Sequence, residues 1–238
     1  MIQNEKDKSG IKEVYIGMPS LSIELDFLDI KEYCFYQKSS LLTIQNNFKN
    51  NVLEKTKGMN EKQKSMYYEY LADERWKLHN VFPLLQWNTI FVTSCSLFEY
   101  HLQQIQNFVI NHTENQTINE EASDFLSQFK KFISNKFQLN IFNNKIWSDI
   151  KDFKKIRNFI VHNANEIKLC DNDSSTMQNV KKRLLYDLQR KDLIEIIENN
   201  TFGIITLKSF EVENAINTFE NFLLGSCKEI GEKLDLEL

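Results

Sequence analysis

Apolar residues recur along most of this chain at intervals of three and four, the spacing of one face of an α-helix. The pattern predicts a helix from Ser22 to about Leu53, interrupted by Lys57-Gly58-Met59-Asn60. Asn60 and Gln63 have the types and spacing of a helix start, so a second helix is expected to run to about His79. Pro83 suits the first position of a third helix, where its missing N–H costs nothing. That helix, to about Asn111, places Leu84, Phe91, Cys95, Phe98, Leu102, Ile105 and Val109 on one stripe. The polar stretch 112–119 reads as a loop. Amphipathic helices are expected over 120–137, 143–163, 176–199 and 209–234. Cys170 to Thr176 reads as a loop rich in capping residues. Thr201 to Lys208 is β-rich but isolated, and is expected to be an extended connector. Residues 1–20 read as a ragged arm, with Val14-Tyr15-Ile16 as a short extended piece.

Composition sharpens this to an all-α fold. The 238 residues include only 6 Gly and 2 Pro, too few turn-formers for a many-stranded sandwich, barrel or propeller. The glycine spacing also excludes a phosphate-binding P-loop and a dinucleotide fingerprint. The best internal boundary is Gly58, with residues 1–80 as an arm and helices packed on the domain formed by 81–238. The polar start, MIQNEKDKSG, lacks a signal peptide's apolar core, and no apolar run reaches the about 18 residues of a membrane span. Four widely spaced Cys without a CxxC fit reduced thiols, and a cytoplasmic protein is expected.

The net charge of −4 argues against a generally basic nucleic-acid binder. Its distribution is uneven. Residues 145–191 carry 11 basic and 6 acidic side chains, whereas 192–238 carry 3 and 10. An anion site is therefore expected in the former segment.

The segment Lys154-Lys155-Ile156-Arg157-Asn158-Phe159-Ile160-Val161-His162-Asn163 holds the candidate chemistry. On an ideal wheel with Ile146 at zero, Ile146, Trp147, Ile150, Phe153, Ile156, Ile160 and Val161 form one face, and Arg157 falls in its middle at about 20°. A charge there needs a carboxylate or a cleft that holds an anion. His162 falls at about 160° and Asn158 at about 120°. A second copy of the chain packed across this surface would help bring Arg157 and His162 to one cleft. On the third helix Glu99 sits at the border of the buried face, as a candidate partner for Arg157. His79, His101 and His112 are scattered without ligand spacing, so no metal site is expected. Lys181-Lys182-Arg183 and Tyr67, Tyr68 and Tyr70 read first as a solvated face and as packing residues.

Arg157-Asn158-x-x-x-His162 resembles the R-x4–6-H motif of the HEPN superfamily (higher eukaryote and prokaryote nucleotide-binding domains). Asn158 matches the polar residue that commonly follows the Arg. The helix carrying Ser94, Ser96, Phe98-Glu99 and Leu102 is similar to the family's long helix with an inward acidic residue. Gln103 stands where some members carry a basic residue. The resemblance implies a HEPN-like all-α bundle over 81–238 with additional N-terminal helices. It further implies a metal-independent endoribonuclease of a prokaryotic toxin or phage-defence system. Such an enzyme needs no cofactor and takes RNA as substrate. It acts as a homodimer, with an antitoxin protein as a further partner and no membrane. The resemblance casts Arg157, His162 and Asn158 as catalytic and Glu99 and Asn163 as supporting. The alternative is a non-catalytic HEPN-like module for dimerisation or for nucleotide or partner binding; RNA binding without cleavage is a third option.

Overall fold

A computed structural model describes residues 6–113, 124–163, 166–168, 188, 195–198 and 202–234. The protein is predominantly helical, as the periodicity requires. The elements are α1 (Lys6–Lys55), α2 (Glu61–Tyr70), α3 (Ala72–Trp76), a π-turn (Lys77–Val81), α4 (Phe82–His112), α5 (Phe125–Lys136), a 3-10 turn (Asn140–Asn143), α6 (Lys145–Asn163), strands β1 (Glu166–Lys168), β2 (Glu195–Glu198) and β3 (Phe202–Thr206), and α7 (Ser209–Lys233).

Local signals explain most boundaries. Gly58 follows α1 with φ +87°, a left-handed value that L side chains rarely adopt. Asn60 then caps α2: its side chain accepts the Gln63 N–H at 2.9 Å, and its own N–H donates to Gln63 Oε1 at 3.0 Å. Asp124 caps α5 through the Ser127 N–H at 3.2 Å.

Four expectations are corrected. α1 begins at Lys6, so residues 6–20 of the segment read as an arm are helical and Val14-Tyr15-Ile16 is not extended. Pro83 does not open a new helix. It is the second residue of α4, reached from α3 through the π-turn, and the Phe82 N–H bonds to the Lys77 carbonyl five residues back. The wider turn accommodates a residue with no N–H and a ring that crowds the preceding turn, so the helix continues. Third, the end of the expected 176–199 helix is strand β2. Fourth, the TFGIITLK segment is no isolated connector, because β3 is the middle strand of an antiparallel sheet ordered β1-β3-β2. Its register pairs Ile167 with Gly203 and Ile197 with Ile204. The Leu-Ile-Glu-Ile-Ile-Glu run fits either period, and the partner strand decides. The expected 170–176 loop and the Lys181–Arg183 face lie outside the described residues.

The described residues fall into two compact units. One draws on Met1–Ile30, Val92–Phe159 and Asn214–Leu238, the other on Lys31–Phe91 and Ile160–Glu213. The core of the first is an aromatic seam. Phe98 of α4 stacks on Phe219 of α7 at 4.6 Å between centroids, and Trp147 of α6 stacks on Phe222 of α7 at 5.4 Å. Phe142 meets the edges of both Trp147 and Phe222, an arrangement that ring quadrupoles favour. Gly225 of α7 admits the 3-10 turn closely, since a Cβ there would lie 2.5 Å from Ile141 Cδ1. His101 is buried in this unit with Nε2 3.0 Å from Asp26 Oδ2. Burial holds its pKa below the usual value, and Asp26 opposes that shift.

The second unit buries Cys34, Val52, Leu78, Trp87, Ile205 and Val212. It is tied by Lys38 to Glu213 at 3.0 Å and by Gln45 Nε2 donating to the Leu78 carbonyl at 2.9 Å. The continuous helical stretch Ala72–His112 is long and apolar enough to cross a membrane. Its stripe residues Phe91, Cys95, Phe98, Leu102, Ile105 and Val109 are instead buried in the protein.

Candidate functional site

α6 carries Arg157, and its sequence explains the placement. Trp147, Ile150, Phe153, Ile156 and Ile160 are all buried, so the expected apolar face is the packed one. Val161, at the edge of that face in the last turn, is instead 48% exposed. Arg157 emerges from the middle of the face and is half-buried. Its Nη1 donates to Asn158 Oδ1 at 3.1 Å, while its buried Nε has no partner.

Glu99 and Cys95 lie one turn apart on α4, in the same unit as Arg157. Burial pushes the Cys95 thiol well above its ordinary range; Glu99 adds to that and Arg157 opposes it. Both charges are therefore within electrostatic reach of one buried sulfur. α4 and α6 thus bring the expected acidic and basic residues to one neighbourhood. Among the described residues, however, no ion pair joins Glu99 to Arg157. The buried Nε of the guanidinium has no partner, and Nη1 is bonded to Asn158.

Asn158 is half-buried, holds the guanidinium through its carbonyl, and also lines an open groove between α5 and α6. His162 stands exposed in the last turn of α6. Five residues of helix separate it from Arg157 by about 140° of rotation and about 7.5 Å of rise. One copy of α6 therefore does not aim both side chains at one point. Asn163 is the last residue of α6, and its side chain lies outside the described residues.

One buried polar residue carries no role in the sequence reading. Asn88 of α4 is 5% exposed, and neither its Oδ1 nor its Nδ2 has a partner. A buried amide with nothing to bond is rare and marks either function or an internal water. The signal was available: the wheel of α4 places Asn88 beside Cys95, near the apolar stripe. No group of three or more His, Cys, Asp or Glu side chains converges as a metal site among the described residues. Tyr68 and Tyr70 project into solvent, 44% and 80% exposed, rather than packing.

No protein-family model, curated protein or solved structure matches this chain.

Proposed function

We propose that this chain is a HEPN-like, metal-independent endoribonuclease of a prokaryotic toxin or phage-defence system, working as a homodimer. One observation carries the reading: Arg157 projects from the core-facing stripe, half-buried, with an unpartnered Nε and no carboxylate paired to it among the described residues. A structural Arg at such a place normally acquires a carboxylate. Among the described residues this one is bonded to the amide of its neighbour alone, which leaves its remaining Nη donors for phosphate oxygens.

The chemistry needs no redox step. The 2′-oxygen attacks the adjacent phosphorus and the bond to the 5′-oxygen breaks. The 2′-OH proton goes to a base and a second proton is delivered to the departing 5′-oxygen. The products are a 2′,3′-cyclic phosphate and a 5′-hydroxyl. Arg157 holds the phosphate and stabilises the charge that builds on it. Asn158 positions the guanidinium. His162 moves the protons, since one imidazole nitrogen can accept a proton while the other donates one. The separation of Arg157 and His162 on one helix favours a cleft lined by two copies of α6.

The test is incubation of the purified wild type and His162→Ala with total tRNA and a generic RNA in EDTA, followed by analysis of fragment ends. Cleavage by the wild type alone, leaving cyclic or 3′-phosphate ends, is expected. Equal cleavage by the variant would overturn the assignment.

A second reading, a non-catalytic dimerisation module, has its own observation. α1 buries Ile23, Phe27, Ile30 and Cys34 on one face, yet exposes Leu21, Leu28, Phe35 and Leu42 at seven-residue spacing by half or more. Such a ridge is the seam of a helix that packs on another helix. On this reading the chain dimerises, cleaves no RNA, and Arg157→Ala and His162→Ala leave the dimer and its cellular effect unchanged.

A further inference from the structure

In the first unit, α5 and α6 flank an open groove with a volume of about 710 Å³. Each helix lines it with residues at i, i+3, i+4 and i+7, the positions of one helical face. On α5 these are Ser127, Lys130, Lys131 and Ser134. On α6 they are Lys151, Lys154, Lys155 and Asn158. The two faces repeat one design: a pair of adjacent lysines set among side chains that hydrogen-bond.

The charge is one-sided. Among the described residues, Asp124 is the sole carboxylate lining the groove, and it is engaged by Lys154 at 2.6 Å. Lys155 reaches Asp152 at 2.7 Å. Lys130, Lys131 and Lys151 have no carboxylate partner among the described residues. The Lys130 ammonium is held 5.6 and 5.7 Å from the Phe142 and Trp147 ring centroids, which orients it without neutralising it.

Its apolar lining residues, Leu126 and Trp147, are buried, so the groups it presents to a ligand are mainly lysine side chains and polar side chains. A phosphodiester chain needs only repeated cations and hydrogen-bond donors. The groove also ends at Asn158, which holds Arg157.

We propose that the α5–α6 groove binds the backbone of a single-stranded nucleic acid, with Lys130, Lys131 and Lys151 neutralising phosphates and the Ser134 hydroxyl and the Asn158 amide donating to their oxygens. This goes beyond the cleavage reading and stands without it, because the contacts are to backbone whether or not the strand is cut.

The test uses the full chain in EDTA with fluorescein-labelled 20-nucleotide RNA and DNA of one sequence, read by anisotropy across a KCl series. DNA lacks the 2′-OH and cannot be cleaved by the proposed route, so its binding reports the groove alone. Both strands are expected to bind. The Lys130→Gln/Lys131→Gln/Lys151→Gln variant keeps the aliphatic stems and loses the charges. Removing about three phosphate contacts predicts a salt slope shallower by about 2 and binding about 100-fold weaker at 0.1 M salt. Lys62→Gln/Lys64→Gln on α2 should bind as the wild type does. Equal binding by the triple variant, or no salt-dependent binding by the wild type, overturns the proposal. Loss of cleavage in His162→Ala with binding retained would leave it intact.

Discussion

Replacing Arg157 by Met separates a residue kept for packing from one kept for a ligand. The side chains are similar in length, so Met fills the same space without leaving a cavity. The buried Nε is unsatisfied, and an unfilled buried donor costs about 1–3 kcal/mol. Met removes that cost. It also removes the 3.1 Å hydrogen bond from Nη1 to Asn158. A hydrogen bond to a charged group contributes about 1.5–3 kcal/mol, but Asn158 is half-exposed and regains water, so the loss is nearer 1 kcal/mol. The balance predicts a variant as stable as the wild type or more stable by up to about 2 kcal/mol. In a chain of this size each kcal/mol shifts Tm by about 2–4 °C. Urea unfolding at neutral pH, followed by circular dichroism and extrapolated linearly, measures it. RNA cleavage measured in parallel should be lost. A loss of more than about 2 kcal/mol in the Met variant would show that the guanidinium supports the fold, and the phosphate-binding reading would lose its main support.

Phe222 is fully buried and meets Phe98, Phe142 and Trp147, so Phe222→Ala should cost about 3–5 kcal/mol and weaken the near-ultraviolet signal of Trp147. A cost below about 2 kcal/mol would mean that the aromatic seam does not organise the first unit. Burial alone would raise the pKa of Asp124, but hydrogen bonds from Lys154 and Ser127 outweigh it and bring the carboxyl to about 2 from an ordinary 3.8. A depressed carboxylate stabilises the folded state above its unfolded pKa, and that contribution disappears as pH falls from about 4 to about 2. Asp124→Asn should lack this component of acid unfolding, which a series of urea midpoints across that window would show.

Much of the architecture was legible because its causes are local. The Asn60–Gln63 cap, the break at Gly58 and the apolar stripes of α4 and α6 all depend on residues within a few positions of each other. So does the place of Arg157 on its helix: the 3.6-residue period alone puts it among Ile156, Ile160 and Phe153. The positions of Arg157, Asn158 and His162 along α6 were likewise visible as residue types at fixed spacing. Val161 marks the limit, since periodicity puts it at the edge of the buried face and only a neighbouring element decides whether an edge is covered.

What tertiary structure alone decided involves partners far apart in the chain. β3 is a strand because Ile204 finds Glu166 on one side and Ile197 on the other; its own composition fits a connector equally well. Pro83 continues a helix because the π-turn before it widens the backbone. The lysine groove exists because α5 and α6 lie side by side, with Lys154 meeting Asp124 thirty residues away. Glu99 and Arg157 share the neighbourhood of Cys95 for the same reason. Hydrophobic period, capping and turn chemistry act over single turns and are written into any short window of sequence. Strand pairing, burial of a charge and the alignment of two cationic helix faces arise only when the whole chain packs, because their free energy comes from contacts that no window contains.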